Sequence, residues 1–302
     1  MRRKLIQGIL AGLAVPATFG LVVITSQQGL FEGKARHLLT LAIKAQQAGN
    51  MSSAQAHLEE LITTFPDSPW TGEGMLQLGQ VYSAQKQFVE AQRVYRTFIE
   101  RFPESSLLAK AEEQLGQINV ALLFSPLVTE MDSVHEVKPQ ETLGRIASVD
   151  GTTVDLLKRA NGLSSDLIHP GQKLKVPKAR FRVVVDKSQN RLTLTSNDQL
   201  VKSYTVSTGK DDATPSGTFK IVNRIIHPVW YKQGAIVPPD SPENILGSRW
   251  LGFDKPGYGI HGTTEPQTLG QSVTAGCVRM ANNDVEELFA IVPVGTEVTI
   301  VD

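Results

Sequence analysis

Two stretches of this chain are near copies of each other. AQAHLEELITTFPDSPWTGEGMLQLGQVY begins at Ala54 and AQRVYRTFIERFPESSLLAKAEEQLGQIN at Ala91, an offset of 37 residues at which Pro66 meets Pro103 and Gly79 meets Gly116. Apolar residues recur at helical spacing through 31–122, among many Ala, Gln, Leu and Glu. A repeat of this length is a unit that cannot bury its own apolar face, so neighbouring copies must stack. The pattern therefore predicts an all-α layer over 31–125. It offers either a concave surface for a protein partner or a spacer, and the residues leave both open.

Ahead of the repeat, Arg2, Arg3 and Lys4 precede an apolar run from Leu5 to Thr25. A helix of that length spans about 30 Å, enough to cross a bilayer, and the basic flank would stay cytoplasmic. Residues 1–30 are thus expected to be a membrane anchor. A cleaved signal peptide is the rival, but no clear A-x-A site precedes SQQG. Either way the bulk of the chain lies outside the cytoplasmic membrane, facing the periplasm or cell wall. Thirty basic and thirty acidic residues cancel, which removes any general pull towards nucleic acid. No H-E-x-x-H or Cys-rich cluster occurs, so neither a metal nor another cofactor is expected.

After LLFSP the texture changes. Between 132 and 178 a short strand at His135–Val137 leads to Thr142, a helix cap, then a second helix over Val154–Ala160, a turn at IHPGQ and a closing strand. Asn161 and Gly162 suit the end of the second helix. From 179 to 302, FRVVVD, RLTLTS and VKSYTVST predict an antiparallel meander. One helix is expected at NNDVEELFAIV, where Asn283 and Glu286 have capping-box spacing. The expected architecture is multidomain: an N-terminal membrane helix, an all-α repeat, a small α+β module of order βααβ, and a mostly-β C-terminal domain.

Cys277 is the only cysteine in 302 residues. It can form no internal disulfide, so it is either an inert buried thiol or a reactive one. A free thiol is mostly protonated at neutral pH and needs a base. Of six histidines only His227 and His261 share its domain. YGIHG places His261 at a strand end before Gly262, and TAGCVRM should enter a neighbouring strand with Cys277 and Arg279 on one face. Arg279 could stabilise a thiolate or grip a carboxylate. Gly276 lets a substrate approach, and the N–H groups of Gly276 and Cys277 could face an oxyanion. His227, Trp230, Tyr231 and Trp250 suit either the cleft wall or the core.

These stretches carry three resemblances. The 37-residue repeat looks like tetratricopeptide repeats. ETL..IA, NGL and GQKLKVP resemble the LysM module, whose family binds N-acetylglucosamine-containing glycans. HGTTEPQTLGQSVTAGCVRM resembles the signature of the L,D-transpeptidase catalytic (YkuD) family, a His-Gly followed by Ser/Thr-x-Gly-Cys-x-Arg, supported by VSTGKDDATPSGTFKI, LGSRWLGF and VPVGTEVTI. The last resemblance implies a β-rich fold that cleaves peptidoglycan stem tetrapeptides before the terminal D-Ala. Cys277 would take the acyl group and pass it to an amine, forming a cross-link or attaching a protein. It also implies His261 as general base and acid, the Gly262 carbonyl orienting its other ring nitrogen, Arg279 in the family's arginine position, and inhibition by carbapenems. Many members carry a second histidine where this chain has Ala275; Thr274 fills the Ser/Thr position. The partners so implied are stem peptides and glycan strands. The alternatives are an L,D-carboxypeptidase, in which water replaces the amine, and a non-catalytic wall-binding scaffold.

Overall fold

The computed structural model describes residues 18–232 and 234–302. Much of the expected anchor, Leu5–Thr25, lies outside these residues. Thr18 onward belongs to helix α1 (Thr18–Gln47), and among the described residues no helix is long and apolar enough to cross a membrane.

The described residues form two units, divided between Gln85 and Lys86. In the first, α1 is followed by α2 (Met51–Thr64) and α3 (Thr71–Ala84). Ala35, Leu38, Leu39 and Ala42 of α1, with Leu58, Leu61, Leu76 and Val81, form its buried stripe at helical spacing. The second unit opens with α4 (Phe88–Arg101) and α5 (Leu108–Leu123). The starts of α2 and α4, and of α3 and α5, are each 37 residues apart, the offset of the repeat. Phe65 and Phe102 end α2 and α4 with nearly the same backbone angles, φ −125° and ψ 53° against φ −126° and ψ 54°.

The βααβ module follows as β1 (Asp132–Glu136), α6 (Leu143–Asp150), α7 (Val154–Ala160) and β2 (Lys173–Pro177). Thr142 and Thr153 cap the two helices, accepting from the N–H of Arg145 and Leu156. Asn161 binds β2 back, donating to Lys175 O at 2.9 Å and accepting from Lys175 N at 2.7 Å.

The C-terminal strands are β3 (Phe181–Asp186), β4 (Arg191–Ser196), β5 (Gln199–Gly209), β6 (Gly217–Ile226), β7 (Trp230–Lys232), β8 (Ala235–Val237), β9 (Arg249–Phe253), β10 (Gly259–His261), β11 (Ser272–Thr274), β12 (Val278–Met280) and β13 (Glu297–Val301). Helix α8 (Asn282–Ile291) lies between the last two. β3, β4 and β5 form the expected antiparallel meander. The order β11-β5-β12-β10-β9-β6-β13-β3-β4, with β4 also paired to β5, returns the sheet on itself and leaves β11 outside the ring. Closure removes most free edges and encloses Val183, Val185, Leu192, Leu194, Val206, Ile260, Val278 and Ile300. Helix α8 begins one residue before Asn283, after Ala281, and no side chain caps it, so the expected capping box is not formed.

The modules of the second unit are packed together. Val120 of α5 and Leu156 of α7 are buried in the same core as the ring. Asn119 donates to both Leu200 O and Val201 O, each at 3.0 Å, and the Thr153 hydroxyl donates to Ala290 O on α8. Lys175, 4% exposed, donates to Leu122 O at 2.8 Å and Ser125 O at 3.0 Å, with Asp132 at 3.4 Å.

Candidate active site

β10 and β12 run parallel, with Ile260 opposite Val278 and His261 opposite Arg279. That register puts Cys277, just before β12, beside Gly259. Alternation along the strands then turns Cys277, Arg279 and His261 to one face, with the thiol and imidazole diagonal to each other. The thiol donates to Gly257 O at 3.5 Å.

His261 is 2% exposed, and its Nδ1 lies 2.7 Å from Gly262 O. A carbonyl only accepts, so Nδ1 carries the proton and Nε2 keeps its lone pair. Burial lowers the imidazole pKa from 6.5 to about 4; the Gly262 bond opposes this and the Arg279 charge adds to it. Burial also pushes the Cys277 thiol above its ordinary range, against a smaller opposing bond at Gly259. The resting pair at neutral pH is therefore thiol and neutral imidazole, not thiolate and imidazolium.

The turn before the cysteine is tightly built. The Thr274 hydroxyl donates to Cys277 O at 2.6 Å and accepts from Gly276 N at 3.2 Å. Gly276 has φ +131°, and a Cβ there would lie 2.8 Å from both Ala213 O and Tyr258 Cε1. Its N–H is taken up by Thr274, so of the two donors expected to face an oxyanion only that of Cys277 is left.

Arg279 is buried, and its guanidinium is engaged by residues of the 263–268 loop. Its Nη1 donates to Glu265 at 2.9 Å and to Thr268 Oγ1 at 2.8 Å, while its Nε is buried with no partner. Trp250, opposite His261 on β9, stacks near the imidazole with centroids 5.9 Å apart and planes 17° apart. Its Nε1 donates to Asn223 Oδ1 at 3.1 Å. His227 is exposed beyond the end of β6, and Tyr231 is exposed on the β7–β8 hairpin with Trp230. Sequence reasoning missed Asn282, whose carboxamide bonds Ser248 and Thr263; its place just past Cys277 and Arg279 was the available signal.

The profile of the L,D-transpeptidase catalytic domain matches residues 180–300, that of the LysM domain 135–177, and that of a tetratricopeptide repeat 73–105. The L,D-transpeptidase YkuD of Bacillus licheniformis is 39% identical over 175 residues, covering 55% of this chain and 98% of that protein. The L,D-transpeptidase YqjB of Bacillus subtilis is 41% identical over 126 residues, covering 40% of this chain and 70% of that protein. YkuD of Bacillus subtilis is 34% identical over 173 residues, covering 55% and 97%. The chain belongs to the L,D-transpeptidase family.

Proposed function

We propose that the protein is a peptidoglycan L,D-transpeptidase working outside the cytoplasmic membrane, with Cys277 as nucleophile and His261 as its base. The observation that carries this reading is the His261 ring held by Gly262 O at 2.7 Å with Nε2 left bare, one strand from the lone cysteine, in a chain of this family. In the reaction, Nε2 takes the thiol proton as sulfur attacks the carbonyl preceding the terminal D-Ala of a stem tetrapeptide. The tetrahedral oxyanion faces the Cys277 N–H. Collapse breaks the amide, the imidazolium protonates the departing amine, and D-Ala leaves behind a thioester. An acceptor amine then attacks, His261 removes its proton, and the thiol is restored as the new amide forms.

The parallel pairing of His261 with Arg279 supports a secondary role for the arginine: its charge suppresses protonation of the imidazole, while Glu265 and Thr268 hold the guanidinium in place. The βααβ module holds the glycan strand, raising the local concentration of attached stems. The basic flank and apolar run at Leu5–Thr25 support delivery across the membrane with an anchor left in place.

Incubation of the full chain with disaccharide-tetrapeptides should add one acyl group to Cys277 by mass and release D-Ala, and a carbapenem should add its mass to the same residue. Cys277→Ala should do neither. Glycan binding without any acylation of the wild type would leave a wall-binding scaffold, and tripeptide as sole product would identify a carboxypeptidase.

A further inference from the structure

The Gly262 carbonyl that fixes the His261 ring belongs to the same peptide group as the Thr263 N–H. No cis peptide occurs among the described residues, so this carbonyl and N–H point in opposite directions. The N–H end is held by Asn282, whose Oδ1 accepts from Thr263 N at 3.0 Å and from Ser248 N at 3.2 Å. Its Nδ2 donates to Thr263 O at 2.8 Å. The carboxamide reaches these groups because Gly247 and Gly262 lack side chains there; a Cβ at either would collide with Asn282 Oδ1. Asn282 opens α8, and its backbone follows β12 by way of Ala281, so the strand leading from the thiol also delivers this side chain.

We infer that Asn282 is the positioning residue that sets the His261 tautomer, acting through the Gly262–Thr263 peptide. A peptide free to rotate about its flanking bonds could present N–H in place of C=O to the ring, and Nδ1 would then have to accept, moving the proton to Nε2 and removing the base. Asn282 prevents that turn by holding the far end of the same plane. Donation from Thr263 N–H to Oδ1 also polarises the peptide and strengthens its carbonyl as an acceptor for Nδ1–H. Asn282 is itself solvent-exposed, so its truncation opens no hole in the core.

The inference rests on His261 being the base, and its test separates the two. In the full chain with 15N-labelled histidine at pH 7, the His261 ring should show a protonated Nδ1 and a bare Nε2. Asn282→Ala should introduce the opposite tautomer, speed exchange of the Thr263 amide, and lower the Cys277 acylation rate by about 10- to 100-fold with substrate affinity little changed, a magnitude taken from groups that orient metal-bound imidazoles. Asn282→Asp keeps the Oδ1 acceptor and should retain the wild-type tautomer. A protonated Nε2 in the wild type would overturn the inference whether or not the variants fold, and so would an Asn282→Ala protein with native tautomer and rate. Ring and exchange are read without substrate, so full acylation by His261→Gln would remove the functional reading and leave these results standing.

Discussion

Lowering the pH from 7 to 4 should cost the second unit about 3 kcal/mol through His261 alone. Its imidazole has a pKa of about 4 in the fold and 6.5 when exposed, because burial penalises the cation. At about 1.4 kcal/mol per pH unit that gap is worth about 3.5 kcal/mol in full, and about 3 kcal/mol at pH 4, where the folded ring is half protonated. The sign follows from which state holds the proton: between those two values the unfolded chain binds one and the folded chain does not. Stability from this group is therefore complete above about pH 6.5, declines as the pH falls, and is gone below about 4. Urea melts of the wild type and His261→Gln, followed by tryptophan fluorescence across this range, isolate the contribution because carboxylates titrate in both and cancel in the difference. Trp250, stacked near the ring, provides a local reporter. The wild type should lose about 3 kcal/mol more than the variant, and the folded ring should titrate near pH 4 by NMR. A ring midpoint above pH 6, or parallel losses in both proteins, would refute the assignment of the low value to burial.

Burial of the Cys277 thiol predicts that its alkylation by iodoacetamide keeps accelerating past the pH at which a free cysteine levels off, measured by mass on the intact chain. Gly276→Ala should destabilise the fold by about 1–3 kcal/mol and sharply reduce acylation, since φ +131° and two close neighbours both oppose a side chain; a thermal melt with the acylation assay checks it. Lys175→Ala should cost about 3–5 kcal/mol in urea melts by leaving Asp132 buried without its cation, and Asp132→Asn in the same background should recover part of it. Asn119→Ala should expose the junction between α5 and β5 to proteolysis while Cys277 still acylates.

Features set by short-range rules could be read directly. The 37-residue repeat, the Thr142 cap and the β3–β4–β5 meander each depend on neighbours close in sequence or on strict periodicity. His261 and Cys277 could be singled out as candidates because few residues could supply that chemistry. What escaped depends on distant partners. Asn283 and Glu286 had the right spacing for a cap, yet the helix starts at Asn282, and that asparagine is drawn to the His261 strand. The N–H of Gly276 turned out to be occupied because Thr274 folds back over the turn. Nothing local in Val120 or Leu156 says that a helical repeat and a small module will contribute to the core of the C-terminal ring. Closure of that ring likewise depends on β4 meeting β5 beside the other strands, a choice made by tertiary fit.

Between the end of β2 at Pro177 and the start of β3 at Phe181 only three residues intervene, and Lys175, Thr153 and Asn119 fasten both sides of that join. A sugar held by the small module would therefore sit at a set distance from the sulfur, without the sweep a loose tether permits. If that module grips the glycan, the stem reaching the sulfur would be counted from the gripped sugar, and modified stems would recur at a preferred interval instead of at random.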